Sequence, residues 1–564
     1  MFSIHKLNVR KAMEGENSMN LENDIPDYAM VPAKQYEEKT LMPVTNCAIH
    51  TPMEVTNVLD GKKFTFAIEE DVLVPDIKPD LKEILIMEGF ANLSTREIKD
   101  STNENEYTTI SGDLSIQTLY LPEKPDSLCP VISIESRIPF KEQCKVNKAD
   151  SIQFFCHVDK IDYTVINERK YRIKIVLTIS TKEYNNITLN LFDGLKGENL
   201  HFLKENTEFS SLFSRKKDIL SIKEYISPIS DTIPGQILFK DIAITENYKQ
   251  ITPDKIILNG FVCLNILYYD KPSNDDLYSN MHQLKEKIEF TQFIPLQNAN
   301  NISYCNISFD SSQLRLKICQ HEDGQDIFQL EGDLITYVEL FKSSHHEIIT
   351  DAYHKEKNFV FDKKETNINI LMGTTNNESS VREIFVPRDI TSDIESILFT
   401  TGQITKSNHY YEQNKIITEG TISVRMICKL ATDDSQLTSI TEEIPFRTAS
   451  SICDSQVNGT ICQQIYLKDF WSEKINGRQL EFNSTIVTVT EIIKPVSFTQ
   501  LTNPAFQVGS SKETSSPIVI YCCKKNDSLW HIAKKFRTST EAILSINNLE
   551  KEDLCEGQKL LIMR

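Results

Sequence analysis

The stretch GFVCLNILYY, Gly260 to Tyr269, decides how the chain is read. Counting from its glycine, Val262, Leu264, Ile266 and Tyr268 fall on every second position. Alternation with period two, rich in β-branched and aromatic residues, marks a strand with one face in a core. The pattern recurs twice. Gly112 opens GDLSIQTLY, with Leu114, Ile116, Thr118 and Tyr120 at matching places, and Gly420 opens GTISVRMICK, with Ile422, Val424, Met426 and Cys428.

Other anchors keep the same order. RIPF ends at Phe140, KIEF at Phe290 and EIPF at Phe446, which lie 28, 30 and 26 residues after their glycines. Upstream stand EILI, QILF and SILF. Ile237 and Ile397 each precede their glycine by 23 residues, and Ile84 by 28, which implies a short insertion. Before those, VPD at Val74, SPI at Ser227 and VPR at Val386 mark strand entrances, where proline costs no ladder bond. DGLKGENL at Asp193 and DAYHKEKN at Asp351 complete the series. Such regularity implies an internal repeat. The expected division is an N-terminal segment (1–45), repeats at 46–200, 201–360 and 361–500, a Ser/Thr/Pro-rich linker (501–516) and a tail module (517–564). Each repeat reads as a mostly antiparallel, sandwich-like β domain. Asp60-Gly61, Asn259-Gly260, Asn458-Gly459 and Asn476-Gly477 are hairpin-turn candidates. Glu289 replaces the IPF proline in the second repeat, where a different turn is expected.

The chain has 564 residues, 40% of them hydrophobic and 25% charged, so it is globular rather than disordered. Its formal charge of −19 repels phosphate backbones and argues against nucleic-acid binding. The thirteen cysteines are odd in number, scattered and never in CxxC spacing, which reads as reduced, mostly buried thiols of an intracellular protein. Cys522 and Cys523, adjacent on a strand, are expected to face opposite ways. MFSIHKLNVRKAMEGENSMN at the start lacks the apolar run of a secretory signal, and no window offers a membrane-spanning apolar stretch. A cytoplasmic chain is expected.

From Ile518 the periodicity changes. IVIYCC is a short strand. Asn526-Asp527-Ser528 supplies an N-cap, and Leu529, Ile532, Ala533 and Phe536 share one helical face. Thr538 and Glu541 have capping-box spacing for a second helix carrying Ile543 and Ile546, and KLLIM closes a βααβ unit. This module carries eight basic and six acidic residues, a net of +2, against −21 for the rest. The contrast suits docking onto an acidic protein surface as readily as onto a neutral glycan.

No GxSxG, P-loop or HExxH occurs. His345–Glu347 (HHE) reads as a solvated polar stretch, and HEDGQD, His321 to Asp326, as a hairpin tip rather than a calcium loop. A non-catalytic protein without cofactor or metal is expected.

The glycine strand, the IPF anchor and D-x-Y together resemble the SPOCS domain of SipL-like spore coat morphogenesis proteins from anaerobic spore-formers (Clostridia). The tail resembles the LysM domain in its tyrosine, the NDSLW loop, IAKKF, NNL and GQKL. The resemblance implies three SPOCS repeats and a LysM module in a scaffold of coat assembly. It implies a place in the mother-cell cytoplasm, at the forespore surface. The implied partners are the coat-basement ATPase (SpoIVA-like) and other coat proteins, with LysM as a main docking module. The alternative it implies is a protein binding peptidoglycan or N-acetylglucosamine oligomers at the wall or cortex. The LysM groove, carried over residue by residue, is Asn526, Asp527, Ser528 and Leu529 with Asn547, Asn548 and Leu549. Asp527, Ser528 and Asn547 also have a purely structural reading, as residues that cap or close a helix.

Overall fold

The computed structural model describes residues 41–59, 61–94, 97–99, 107–124, 130–230, 232–271, 280–322, 324–388, 390–432, 436–453, 458–508 and 517–563. Strands dominate, all pairings are antiparallel, and the two α-helices described lie in the tail.

Each repeat glycine sits at the centre of a three-stranded sheet. Leu81–Leu93, Tyr107–Pro122 and Ile132–Lys145 make the first head sheet. Pro234–Ile251, Lys255–Asp270 and Met281–Pro295 make the second, and Ile394–Glu412, Lys415–Leu430 and Leu437–Ser451 the third. The register explains the sequence anchors. Gly112, Gly260 and Gly420 stand directly opposite Phe140, Phe290 and Phe446. The phenyl rings fold back over the glycines, so a Cβ built on Gly260 would lie 2.6 Å from Phe290 Cζ. A side chain at either position excludes one at the other, and the two anchors are a single contact. Pro139 and Pro445 fall within outer strands of their sheets, where the missing N–H faces no partner. Glu289, in the same place, pairs with Phe261, so the IPF anchor is strand and not turn.

Long ribbons form the stem. Ala48–Leu59 and Lys63–Leu73 pair with Lys170–Leu195, Leu200–Ile226 pairs with Asp326–His354, and Phe359–Phe385 pairs with Leu480–Gln507. A strand of 27 residues, such as Leu200–Ile226, spans about 90 Å at a rise of ~3.3 Å per residue. Met53 and Val55, Phe209 and Ile348, and Ile370 and Phe498 come from the three ribbons into one shared core.

The heads also share a core. Ile86, Phe239 and Phe399, each two residues after an anchor isoleucine, meet Leu119, Leu267 and Ile427, each seven after a repeat glycine. A polar ring lies beside it. Gln117 Nε2 donates to Lys240 O at 2.7 Å, Asn265 Nδ2 to Thr400 O at 3.2 Å, and Arg425 Nη1 to Met87 O at 3.4 Å. These donors lie five residues after the glycines and the acceptors three after the isoleucines. Unit one grips unit two, two grips three, and three grips one. It is a head-to-tail interface that closes on itself within one chain, with pseudo-threefold symmetry. Leu41–Pro43 pairs with Gln507–Ala505, so the start of the described chain fastens the last ribbon.

Acidic side chains break that symmetry. Glu88 pairs with Arg425. Asp241 lines a neighbouring polar cavity of about 470 Å³. Burial, then the charge of Glu88, pushes the Asp241 carboxyl up to about 6. A carboxyl raised in the folded state contributes stability below its unfolded value of about 3.9, and that contribution is lost as pH rises through 6. Asp241→Asn is expected to gain about 2–3 kcal/mol at pH 7.5 and nothing at pH 4, read from denaturant midpoints at both pH values.

Several expectations are corrected. Asn259-Gly260 lies inside the central head strand, because the ring of Phe290 and not a turn demands the glycine. The segments flanking Gly61 pair with Lys170–Leu195 and not with each other, and Asp60 lies outside the described residues. Asn458-Gly459 likewise joins strands that do not pair with each other. Asn476-Gly477 does close a hairpin, between Lys474 and Leu480. Residues 501–507 continue a strand because Leu501 and Ala505 are buried, while 509–516 lie outside the described residues. The expected mostly buried cysteines are four buried, three intermediate and five exposed among those described, and no disulfide joins them. Cys522 is exposed and Cys523 buried, facing opposite ways.

Candidate functional site

The tail is built as its periodicity demands. Ile518–Cys522 and Lys559–Met563 pair antiparallel, and helices α1 (Leu529–Phe536) and α2 (Thr540–Ile546) lie between them. Ser528 caps α1 by accepting the His531 N–H at 3.2 Å. Ser539, and not Thr538, caps α2 by accepting the Ala542 N–H at 3.3 Å, because Thr538 is buried. Leu529, Ile532, Ala533, Phe536, Ile543, Leu560 and Ile562 form the module's core.

The seven groove residues divide into two classes. Asp527 Oδ2 accepts the Tyr521 hydroxyl and the Lys524 backbone N–H, both at 2.8 Å. Those bonds, the backbone one first, hold its carboxyl below the ordinary range. Asn547 donates to the carbonyls of Ile543 and Leu561 at 2.8 Å and accepts the Leu561 N–H at 2.7 Å, tying α2 to the closing strand. Leu529 is buried, and the half-buried Leu549 packs on the core. Asp527, Ser528, Leu529 and Asn547 are thus engaged in building the module. Asn526 and Asn548 are different. Both are exposed with left-handed backbone, at φ 67° and 54°. Asparagine tolerates that region, so these two amides are presented outward from the two loops.

A second surface of the module faces its own chain. Trp530 Nε1 donates to Asp351 Oδ2 at 2.8 Å, and Lys534 Nζ reaches Asp351 Oδ1 at 2.6 Å. The Tyr353 ring meets Trp530 edge-on at 5.0 Å, and its hydroxyl donates to Thr538 O. Arg537 Nη1 donates to Glu356 O at 3.3 Å. The basic face of the module therefore meets acidic and carbonyl oxygens at the stem end of the second ribbon. Burial raises the Asp351 carboxyl, but the bonds from Lys534 and Trp530 outweigh it and leave it below the ordinary range. Sequence reasoning missed this seat, although one signal pointed to it: Trp530 and Lys534, four apart on α1, put a large aromatic beside a lysine at the edge of the Leu529, Ile532, Ala533 and Phe536 face. Asp351→Ala is expected to release the module, since it strands the indole N–H and a lysine at once. In a Trp471→Phe background, Trp530 fluorescence should shift to the red while α1 and α2 keep their circular dichroism.

His345–Glu347 lie on the second ribbon opposite Glu208, Thr207 and Asn206, and Glu347 pairs with Lys204 at 2.9 Å. The described residues of HEDGQD lie between the paired strands Arg315–Gln320 and Asp326–His354, and Asp323 lies outside the described residues. No group of side chains among the described residues could hold a metal ion, and no helix among them is long and apolar enough to cross a membrane.

Residues 235–318, the second head sheet and the strands after it, match the family model described as SipL, SPOCS domain. Residues 523–562 match the LysM domain. The chain carries a SipL-type SPOCS domain and a C-terminal LysM domain. No curated protein and no solved structure matches it. The SPOCS match covers Gly260, its ring partner Phe290 and the anchor Ile237, whose counterparts in the other two head sheets share the same register. The LysM match includes all seven groove residues and also Trp530 and Lys534, which face the second ribbon.

Proposed function

We propose that this chain is a non-catalytic scaffold of spore coat assembly, built from three SPOCS repeats. It holds its LysM module out as a docking surface for a coat-basement ATPase of the SpoIVA type, in the mother-cell cytoplasm at the forespore surface. The observation that carries the reading is the seat of LysM on Asp351. The module stands on one end of a long stem whose three ribbons share a core, which makes a rigid display rather than a loose sugar-reading tail. A scaffold gains from such preorganisation, because less freedom is lost when the partner binds.

The test compares the full chain with a chain ending at residue 516 in pull-downs from sporulating cells. Capture of the ATPase by the full chain and its loss on truncation support the scaffold. Equal capture by both sinks LysM as the docking module.

A second reading, binding to peptidoglycan or N-acetylglucosamine oligomers, is favoured by the outward amides of Asn526 and Asn548, which suit sugar hydroxyl and acetamido groups. It requires the full chain to sediment with insoluble peptidoglycan, and Asn526→Ala with Asn548→Ala to abolish this.

A further inference from the structure

Between the heads and the stem, the pseudo-threefold axis passes through a cavity of about 1620 Å³ lined by all three units. Small-molecule sites commonly hold ~300–1000 Å³, so this space admits a ligand of substantial size. Its carboxylates are largely engaged. Glu339 accepts from Arg215 and the Tyr184 hydroxyl, and Glu339 and Glu491 both pair with Lys182. Glu246 pairs with Lys249 at 2.9 Å, and Asp159 accepts the Thr178 hydroxyl at 2.6 Å.

Three lining lysines, two from the first unit and one from the third, differ. Lys62 and Lys63 stand where the first ribbon begins its second strand, and Lys406 lies on the third head sheet. Lys63 and Lys406 are exposed, and no ion pair among the described residues engages any of the three. Burial, then the charge of Lys63 across the unit boundary, holds the His409 imidazole below its ordinary range. The whole lining carries five lysines and four carboxylates, a slight positive excess in a chain whose formal charge is −19. A bound anion would supply these three lysines with the countercharge that no ion pair among the described residues provides. The lining offers lysines and the hydroxyls of Thr65 and Ser407 but no arginine. Point charges with hydroxyl donors suit phosphoryl oxygens, whereas planar carboxylate recognition favours the guanidinium fork.

We propose that this axial cavity binds a ligand carrying two or more phosphoryl groups, seated on Lys62, Lys63 and Lys406. The ligand is a bare polyphosphate or a nucleoside diphosphate. Both share the phosphoryl chemistry and differ in whether the cavity also takes a base.

The test is calorimetric titration of the full chain at low salt with tripolyphosphate and with ADP. One-to-one binding of tripolyphosphate is expected, weakened at least tenfold by combining Lys63→Gln and Lys406→Gln and weakened also by added salt. ADP binding more tightly than tripolyphosphate would assign a nucleotide, and equal or weaker ADP binding a bare polyphosphate. Both lysines are exposed, so the double variant should keep the unliganded melting temperature. Lys204→Gln on the stem serves as the control and should change nothing. Absence of binding by both probes, or undiminished binding by the double variant, overturns the proposal and leaves the lysines as a solvated face.

Discussion

Gly420→Ala is expected to destabilise the protein on the order of 3 kcal/mol or more, because the added methyl has nowhere to go. Its Cβ would fall 2.4 Å from Lys406 O and 2.5 Å from Phe446 Cζ. The ring could swing aside, but the carbonyl belongs to the neighbouring strand of the same sheet and can move only with it. The corresponding change at Gly260 should be milder, since there the nearest carbonyl oxygen, that of Thr245, is 2.7 Å away. Phe446→Ala has a cost of its own, because the ring is buried, so the double variant should lose less than the sum of the two single losses but more than Phe446→Ala alone, as the ring is one obstacle of two. Urea midpoints of the single and double variants measure this. A double variant no less stable than Phe446→Ala alone would mean that the carbonyl is no obstacle.

The second large effect is expected at Lys182→Met. Lys182 of the first ribbon, Glu339 of the second and Glu491 of the third meet on the axis, with their side chains 16%, 6% and 13% exposed. Burial disfavours the Lys182 ammonium, but the two glutamates outweigh it and hold its pKa well above the ordinary value. Removing that cation leaves Glu339 with Arg215, while Glu491 keeps, among the described residues, only the amide of Asn306. An uncompensated buried carboxylate costs roughly 3–5 kcal/mol. Glu491→Gln in the Lys182→Met background should recover most of it, because a neutral amide needs no counterion. Thermal melts of the three variants decide the point. If Glu491→Gln brought no recovery, the loss would come from packing and not from charge.

Much of this molecule is written locally. A strand with one buried face needs only alternation, and the residues around Gly112, Gly260 and Gly420 display it in full. The helices of the LysM module follow from apolar spacing and a serine cap, although the cap of α2 is Ser539 where the spacing favours Thr538. Other features mislead for a physical reason. Asn259-Gly260 has turn chemistry, yet the glycine answers to a ring 30 residues away. Residues 501–507 have linker composition, yet Leu501 and Ala505 turn inward. In both cases a partner distant in sequence overrides local preference.

The candidate groove shows the same division. The βααβ unit and the cap before its first helix can be read from spacing, and the likeness to LysM places Asn526 to Leu529 and Asn547 to Leu549 along its groove. Which of their polar groups are already engaged, and that Trp530 and Lys534 fasten the module to Asp351, depends on contacts across some 180 residues, such as the 179 between Trp530 and Asp351. The sequence by itself determined the repeat, its strand alternation, the glycine and phenylalanine anchors, and the tail module. Only the tertiary structure decided that those anchors touch, that three units close a ring around a charged axis, and that the module has a fixed seat. Periodicity reports which face of an element is buried. It carries no information about which distant surface does the burying.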